Sequence, residues 1–303
     1  MQNFDVVIIG TGITGLCIAH QLFETKKCNS ILILDKEFSS GLHTSGRNSG
    51  VLHAGVYYKP DSLKARVCTL GAKRLKQWIQ DRQIPLNNCG KLIVPTTDCL
   101  DLRLDELQSR ACSNGVLVEM LNENQLKTAA PYVRSASGRA LWSPNTSVVK
   151  PIQVIDRLVS ELLQNNVSFK YNCNFLALEV DGKSIEFPDG QVIGYDHLFN
   201  CSGLNADKVA HKFGIGEDYA LIPFKGLYWQ LNKNCKIQPN INVYPVPDLN
   251  LPFLGVHFTP SSTRGGNVSI GPTATIAFGR ENYEWFSDID LKSATEYAAE
   301  DAD

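Results

Sequence analysis

With 303 residues, the chain is long enough to form two domains, or one large domain, around a substantial hydrophobic core. Hydrophobic residues make up 43% and charged residues 20%, as in ordinary globular proteins, and the net charge of −2 gives no support to nucleic-acid binding. The sequence has neither the apolar run of roughly 18 residues that a membrane helix needs, nor the basic N-terminal region and cleavage site of a secretory signal.

The N-terminal region has the order strand, glycine turn, helix, strand. DVVII (5–9) is rich in β-branched residues and predicts a buried parallel strand. GTGITG (10–15) follows directly, residues 13–27 have the apolar spacing of a helix, and ILILD (31–35) predicts a second buried strand. This order is typical of a dinucleotide-binding βαβ unit.

Each glycine of this turn has a distinct physical role. Gly10 permits the tight turn, Gly12 lets the backbone approach a pyrophosphate, and Gly15 lets the helix pack on the strand. The phosphates would then lie at the positive end of the helix dipole. Asp35 ends the second strand, where it can accept hydrogen bonds from a ribose, although a solvated strand end is the simpler alternative.

The next segment, TSGRNSGVLHAGVYYKP (44–60), is too polar for a core strand and too rich in aromatic residues for a plain linker. A nicotinamide enzyme has no general need for such a loop after the second strand, whereas a flavin must be held along its ribityl chain and ring. Glycine backbone groups, Ser45, Arg47, Asn48 and Ser49 supply hydrogen-bonding groups, and His53, Tyr57 and Tyr58 supply groups for the level of the ring. The loop therefore predicts FAD.

GRNSGVLHAGVYYKPDSLKARVC (46–68) resembles the flavin loop of the L-2-hydroxyglutarate oxidases and dehydrogenases, within the D-amino-acid-oxidase-like FAD oxidoreductases. The resemblance continues in NCGKLIVP, CSGLNADKVA and IPFKG, and is most specific in YPVPDLNLPFLGVHFTP (244–260) and IGPTATIAFGRENY (270–283). It implies FAD-dependent oxidation of a 2-hydroxy dicarboxylate. Similar proteins continue well beyond the position of Asp303, so the chain looks like a member that lacks its C-terminal portion.

The remaining sequence fits an α/β protein with two interleaved domains. Helices are predicted over 62–83, over 100–115, from 123 until Pro131 stops the helix, and over 151–167. Strands are predicted over 89–95, 167–180 and 184–201, with a strand-rich region after Leu221. We expect a Rossmann-like FAD-binding domain of residues 1–85 and 145–221. We expect a substrate domain, α+β with an antiparallel sheet, of residues 86–144 and 222–303.

The resemblance implies a base for the hydroxyl proton and cations for the carboxylates. His257 is the favoured base because an imidazole titrates near working pH, while His53 is the second candidate and could instead orient the flavin ring. Tyr57 could carry a proton. The candidates for carboxylate binding are Lys59, Lys225 and Arg280, although Lys225 stands where relatives are expected to have arginine. For each of these residues, the alternative is an ordinary structural or solvated side chain.

The residues predicted to bind FAD are Gly10, Gly12, Gly15, Asp35, Lys36, Thr44, Ser45, Arg47, Asn48, Ser49, Gly50, His53, Ala177, Cys201, Ser202 and Gly203. No metal site is expected, because the histidines lack suitable spacing and the nine scattered cysteines include no CxxC pair. Such cysteines are typical of reduced thiols in the cytoplasm.

Two other functions stay open at this point: a related FAD enzyme acting on an amine or amino acid, and a non-catalytic FAD-binding protein. The final electron acceptor, oxygen or a quinone, is not specified by these motifs. Peripheral contact with the inner membrane and the oligomeric state are equally open.

Overall fold

The structure is a computed structural model that describes residues 2–175, 178–247, 255–263, 265–284 and 287–290. The chain divides into two compact units. Unit 1 is formed by Met1–Asn48, Pro151–Phe224 and Ile276–Asp303, and unit 2 by Ser49–Lys150 and Lys225–Thr275.

The described helices are α1 (Ile13–Glu24), α2 (Leu63–Asp81), α3 (Leu102–Ser113), α4 (Glu123–Ala129), α5 (Pro151–Gln164) and α6 (Ala206–His211). The strands of the first half are β1 (Gln2–Ile9), β2 (Ile31–Leu34), β3 (Val51–Leu52), β4 (Leu86–Asn87), β5 (Lys91–Val94), β6 (Glu119–Leu121), β7 (Ala140–Ser143) and β8 (Ser147–Val149). Those of the second half are β9 (Ser168–Lys170), β10 (Glu179–Asp181), β11 (Ser184–Glu186), β12 (Val192–Asn200), β13 (Phe224–Gln230), β14 (Asn242–Pro245), β15 (His257–Thr259) and β16 (Ser269–Ile276). None of these helices combines the length and hydropathy that a membrane-crossing helix needs.

Unit 1 is built on a six-stranded sheet in the order β10-β11-β12-β1-β2-β9. Its centre is parallel, since β1 pairs in parallel with both β12 and β2, and β2 pairs in parallel with β9. Buried apolar side chains of β1 and β2, including Val7, Ile9 and Leu34, form a core with Phe175 and Ile193. The predicted Rossmann-like α/β arrangement is confirmed.

Unit 2 contains a seven-stranded sheet in the order β13-β16-β15-β14-β5-β7-β6 and a small sheet in the order β3-β8-β4. The large sheet is largely antiparallel, as expected, but β14 pairs in parallel with β5. This pairing joins strands about 150 residues apart, so local sequence patterns could not reveal it. The core lies between this sheet and α3, with Ile93, Leu104, Leu107 and Leu141 buried.

The two units have bounds that differ from the predicted domain boundaries. Residues 49–85, expected with the FAD-binding domain, lie in unit 2, since β3 pairs with β8 within that unit. Residues 276–303, expected in the substrate domain, are grouped with unit 1. The predicted helix start at Ser62 is confirmed, because its side chain caps α2 by accepting a hydrogen bond from the Ala65 backbone N–H.

Candidate functional site

The turn between β1 and α1 has the close packing that the glycine spacing predicts. Gly10 has a φ of +105°, and a side chain there would collide with the carbonyl of Cys201. A side chain at Gly15 would collide with the carbonyl of Gly10. At Gly12, a Cβ atom would lie 3.0 Å from Ser45 Oγ. Helix α1 starts after Gly12 without a side-chain cap, so the chain supplies a turn and a helix N-terminus suited to phosphate.

Asp35 fixes this turn as well as ending β2. Its Oδ2 accepts hydrogen bonds from the Thr11 hydroxyl group and from the Thr11 backbone N–H, the latter at 2.7 Å. Its Oδ1 accepts from the Glu37 N–H at 2.9 Å. The carboxylate therefore has a structural task that the sequence interpretation missed, while it also lines the adjacent cavity.

The first part of the predicted flavin loop folds against α1. Ser45 Oγ accepts a hydrogen bond from the Ile13 N–H at 2.9 Å, in the first turn of the helix. Asn48 holds the loop closed by donating to the carbonyls of Thr44 and Ser45 at 3.0 and 2.9 Å. These bonds keep the side chains of Ser45 and Asn48 at one wall of the cavity, which Thr44 also lines.

A cavity of about 500 Å³ in unit 1 brings together most of the predicted cofactor residues. Those lining it are Gly10, Gly12, Asp35, Lys36, Thr44, Ser45, Asn48, Cys201, Ser202 and Gly203. Such a volume is in the usual range for cofactor sites. Gly15 lies beneath the turn, and Arg47 points its Nε to the carbonyl of Leu42. Ser49, Gly50 and His53 are grouped with unit 2, and Ala177 lies outside the described residues.

A charged cluster at the cavity was not predicted. Lys36 contacts Glu37 and lies 2.7 Å from Glu281, and His43 lies 2.9 Å from Glu37 and 2.7 Å from the Tyr283 hydroxyl group. Glu37, His43 and Glu281 are close enough to share a metal ion. However, the Lys36 ammonium group already pairs with the carboxylates of Glu37 and Glu281. The contact between His43 and Tyr283 joins positions about 240 residues apart. The only signal for it in the sequence was that His43 adjoins the flavin loop.

Unit 2 contains a cluster of aromatic and basic side chains, of which Lys91, Tyr244 and His257 are buried and His53 and Tyr57 are half-buried. The His257 ring stacks on the Tyr244 ring at a centroid distance of 3.8 Å, and His53 meets Tyr244 edge-on at 6.0 Å. Lys91 Nζ lies 4.3 Å from the Tyr57 ring centroid and 5.2 Å from that of Tyr244. The sequence interpretation included three members of this cluster and missed Lys91 and Tyr244.

Within this cluster, His257 has the geometry of a proton acceptor. Its Nδ1 is 3.0 Å from the Gly255 carbonyl, which can only accept, so Nδ1 carries the proton and Nε2 the lone pair. Burial lowers the pKa of His257, and the Gly255 bond partly opposes this. Burial lowers the pKa of His53 much further, to about 3. His257 is therefore the stronger base of the two.

The three predicted carboxylate-binding cations have different environments. Lys59 is exposed and Lys225 is half-buried. Arg280 lies in unit 1, where it contacts both carboxylate oxygens of Asp207, its Nη2 lying 2.6 Å from Oδ2, and it also donates to the Leu204 carbonyl. This pairing gives Arg280 a structural role, which is the alternative noted for it from the sequence.

Breaking the Arg280–Asp207 pair is expected to destabilise the protein. The two side chains are only 9% and 7% exposed, so Arg280→Met would leave a buried carboxylate unpaired at a cost of roughly 3 kcal/mol. Arg139→Met is the matched control, since Arg139 pairs with Asp105 but is 34% exposed. Its loss should cost about 1 kcal/mol or less. Chemical denaturation measures both, and equal losses would contradict the argument.

The same pair predicts a pH dependence of stability. Burial alone would raise the pKa of Asp207, but bonds from Arg280 and from two backbone N–H groups outweigh it and lower the pKa to about 2, from 3.8. A depressed folded-state pKa stabilises the fold above the unfolded-state pKa and ceases to do so as the pH falls through the folded-state value. We expect the stability difference between the wild type and Asp207→Asn to shrink between pH 4 and 2. A constant difference would refute the assignment.

Comparison with known proteins gives matches over nearly the whole chain. Residues 5–300 match a family described as FAD dependent oxidoreductase. The mitochondrial L-2-hydroxyglutarate dehydrogenase of Caenorhabditis elegans is 35% identical over 294 residues, which are 95% of this chain and 67% of that protein. The L-2-hydroxyglutarate dehydrogenase of Escherichia coli K12 is 35% identical over 282 residues, which are 92% of this chain and 66% of that one. The chain thus spans about two thirds of the length of these relatives.

Among solved structures, the dithionite-reduced L-alpha-glycerophosphate oxidase of Mycoplasma pneumoniae, with FAD bound, has a TM-score of 0.77. The match covers 98% of this chain and 78% of that one at 23% identity, so it is a likeness of fold.

Proposed function

The chain belongs to the family of FAD dependent oxidoreductases, and we propose that it oxidises L-2-hydroxyglutarate to 2-oxoglutarate with FAD as the cofactor. The observation that carries the choice of substrate is the 35% identity to proteins of that name over 95% of this chain, which includes both units. The cavity of unit 1 and the buried imidazole of His257 in unit 2 support this proposal.

The residues of unit 1 fit FAD. The diphosphate would be held by the turn at Gly12 and by the N-terminus of α1, whose N-cap residue Gly12 has no side chain to narrow the approach. Asp35 and Lys36 line the same cavity at the end of β2, where a ribose is held in this class of fold. When bound, FAD supplies an acceptor for a hydride.

Oxidation of a secondary alcohol removes a hydride from carbon and a proton from oxygen, and a C=O double bond forms. We assign the proton to His257 Nε2, because the bond from Nδ1 to Gly255 leaves the lone pair on that atom. Tyr244 fixes the ring by stacking on it. Tyr57 is a weaker candidate, since burial raises its pKa well above the usual value and keeps its hydroxyl group protonated.

The test is anaerobic reduction of the purified, flavin-loaded protein, followed by the loss of yellow absorbance. We expect L-2-hydroxyglutarate to bleach the flavin, whereas D-2-hydroxyglutarate should not. Bleaching by L-glutamate, in which an amine replaces the hydroxyl group, would instead indicate an amino-acid oxidase. A flavin that no compound bleaches would indicate a non-catalytic FAD-binding protein.

The electron acceptor is tested by reoxidation of the reduced protein. We propose a quinone, since the relatives are named dehydrogenases. Reoxidation should therefore be faster with a short-chain ubiquinone than in air-saturated buffer. Peripheral contact with a membrane would accompany a quinone acceptor, and flotation with liposomes of inner-membrane composition measures it.

The rate of flavin reduction should depend on the protonation of His257. A general base must be unprotonated, so the rate falls as the pH drops through its pKa. Because burial lowers that pKa from 6.5, the midpoint of the fall should lie below pH 6.5. Stopped-flow reduction between pH 5 and 9 measures it, and a midpoint above pH 7 would assign the proton to another group.

A further inference from the structure

We propose that Lys91 is a positioning residue of the aromatic and basic cluster: its ammonium group keeps the His257 imidazole neutral and able to accept a proton. The proposal deepens the function proposed above and rests on it for the meaning of the proton. It concerns the residues of unit 2 alone. Nothing in the sequence patterns singled out Lys91, which stands in an otherwise apolar strand.

The position of Lys91 is unusual for a lysine. It is the first residue of β5, in register with Asn242 of β14 and Ser143 of β7, and its side chain is fully buried. Its Nζ has no hydrogen-bond partner within the part of the chain that the structure describes. Lysine is almost never buried in this way without a partner. A buried ammonium group with no structural bond to explain it indicates a functional role.

Among the residues that the structure describes, aromatic rings rather than carboxylates contact this ammonium group. Nζ lies 4.3 Å from the Tyr57 centroid and 5.2 Å from the Tyr244 centroid, within the range of cation–π attraction. Tyr244 in turn stacks on His257 with an interplanar angle of 15°. The lysine and the imidazole thus share one aromatic neighbour, and the Lys91 charge is one of the causes that lower the pKa of His257.

The ionisable groups facing this cluster come from each element packed around it. They are Cys68 of α2, His53, Tyr57 and Tyr58 of the segment after β3, Cys89 and Lys91 at the start of β5, Tyr228 of β13, Tyr244 of β14 and His257 of β15. None of these groups is a carboxylate, so protonation of either histidine would add a second cation beside Lys91. In the cluster, where Lys91 and His257 are buried, such repulsion is weakly screened.

The titration of Lys91 supports this arrangement. Burial lowers its pKa to about 7, so it carries its charge below neutral pH, in the range where His257 would otherwise become protonated. For His257, burial is the first cause of the lowered pKa and the Lys91 charge a further one. Removing the charge should therefore raise the pKa of His257 only in part.

The experiment compares Lys91→Met, which keeps the length and removes the charge, with Lys91→Arg, which keeps a charge at every pH. Flavin-loaded protein with isotope-labelled histidines is titrated with pH by NMR. The signal of His257 is assigned as the one that is missing from His257→Gln. In Lys91→Met, we expect the His257 midpoint to rise by at least about 0.5 pH unit, equivalent to about threefold in the protonation equilibrium. Lys91→Arg should keep the midpoint at or below the wild-type value. Lys170→Met removes another lysine that lies on an aromatic ring, Phe187, and should leave it unchanged.

In Lys91→Met, the pH at which the rate of anaerobic flavin reduction falls on the acid side should also move to a higher value. A rate that falls equally at every pH, with an unmoved His257 midpoint, would show that Lys91 is only structural and overturn the proposal. If Lys91→Met does not fold, Lys91→Gln is titrated in the same way. Because the NMR titration uses no substrate, it decides the role of Lys91 even if L-2-hydroxyglutarate does not reduce the flavin.

Discussion

Gly12→Val is expected to remove most of the FAD, lowering flavin content per chain by about tenfold or more. The position lines the cavity directly ahead of α1, and its Cβ would already lie 3.0 Å from Ser45 Oγ. The two further methyl groups of valine must either displace Ser45, which accepts the first-turn N–H of Ile13, or enter the space of the phosphates. Absorbance of flavin and protein after gel filtration measures the loss.

Gly71→Val is the matched control for this substitution. Gly71 lies in α2, and a Cβ there meets no atom within 4 Å, so only the small helix-propensity difference remains. We expect full flavin content in that variant. Full flavin content in a folded Gly12→Val protein would show that the phosphates lie elsewhere.

Asp35→Ala removes both tasks of the carboxylate at once. Because Asp35 holds Thr11 and Glu37 as well as facing the cavity, its removal should weaken the turn and the ribose contact together. The hydrogen bonds within the turn and the contact with the ribose are each worth about 1–3 kcal/mol. A side chain at Gly12, by contrast, blocks the phosphate site. The variant should therefore retain more FAD than Gly12→Val, and the order of the two losses tests the assignment.

Unit 1 was largely predictable because its signals are local. The turn at Gly10, the helix after Gly12 and the acid at Asp35 lie within 26 residues of one another, and each type of residue is required by backbone geometry or charge. The polar loop that follows was identified for the same reason, and Ser45 and Asn48 do line the cavity.

The rest of the candidate site depends on contacts between distant residues. Lys91 lies in KLIV, an apolar run that predicts an ordinary buried strand, and its side chain acquires significance only when Tyr57 and Tyr244 surround it. Glu281 reaches Lys36 only through the grouping of the segment after residue 276 with unit 1. Patterns of hydrophobicity specify which face of a strand is buried, but not which side chains meet there.

His257→Gln is expected to keep FAD but to slow flavin reduction by L-2-hydroxyglutarate by about 10²-fold or more, the usual contribution of a positioned general base. Glutamine is similar in size and keeps an N–H donor for the Gly255 carbonyl, so the strand and the stacking face on Tyr244 should be preserved. It has no lone pair basic enough to take the hydroxyl proton. Single-turnover stopped-flow reduction separates this step from reoxidation.

Two further variants make this result specific to His257. His53→Gln should lose less activity, since a group with a pKa of about 3 is a poor base at neutral pH. His197→Gln changes an exposed histidine of β12 and should leave the rate unchanged. If His257→Gln reduced its flavin at a nearly normal rate while His53→Gln did not, the proton would belong to His53, and the low pKa that burial gives His53 would have to rise when substrate binds. A pH profile of His257→Gln would then show its midpoint at that raised value, which distinguishes this outcome from a reaction that needs no base.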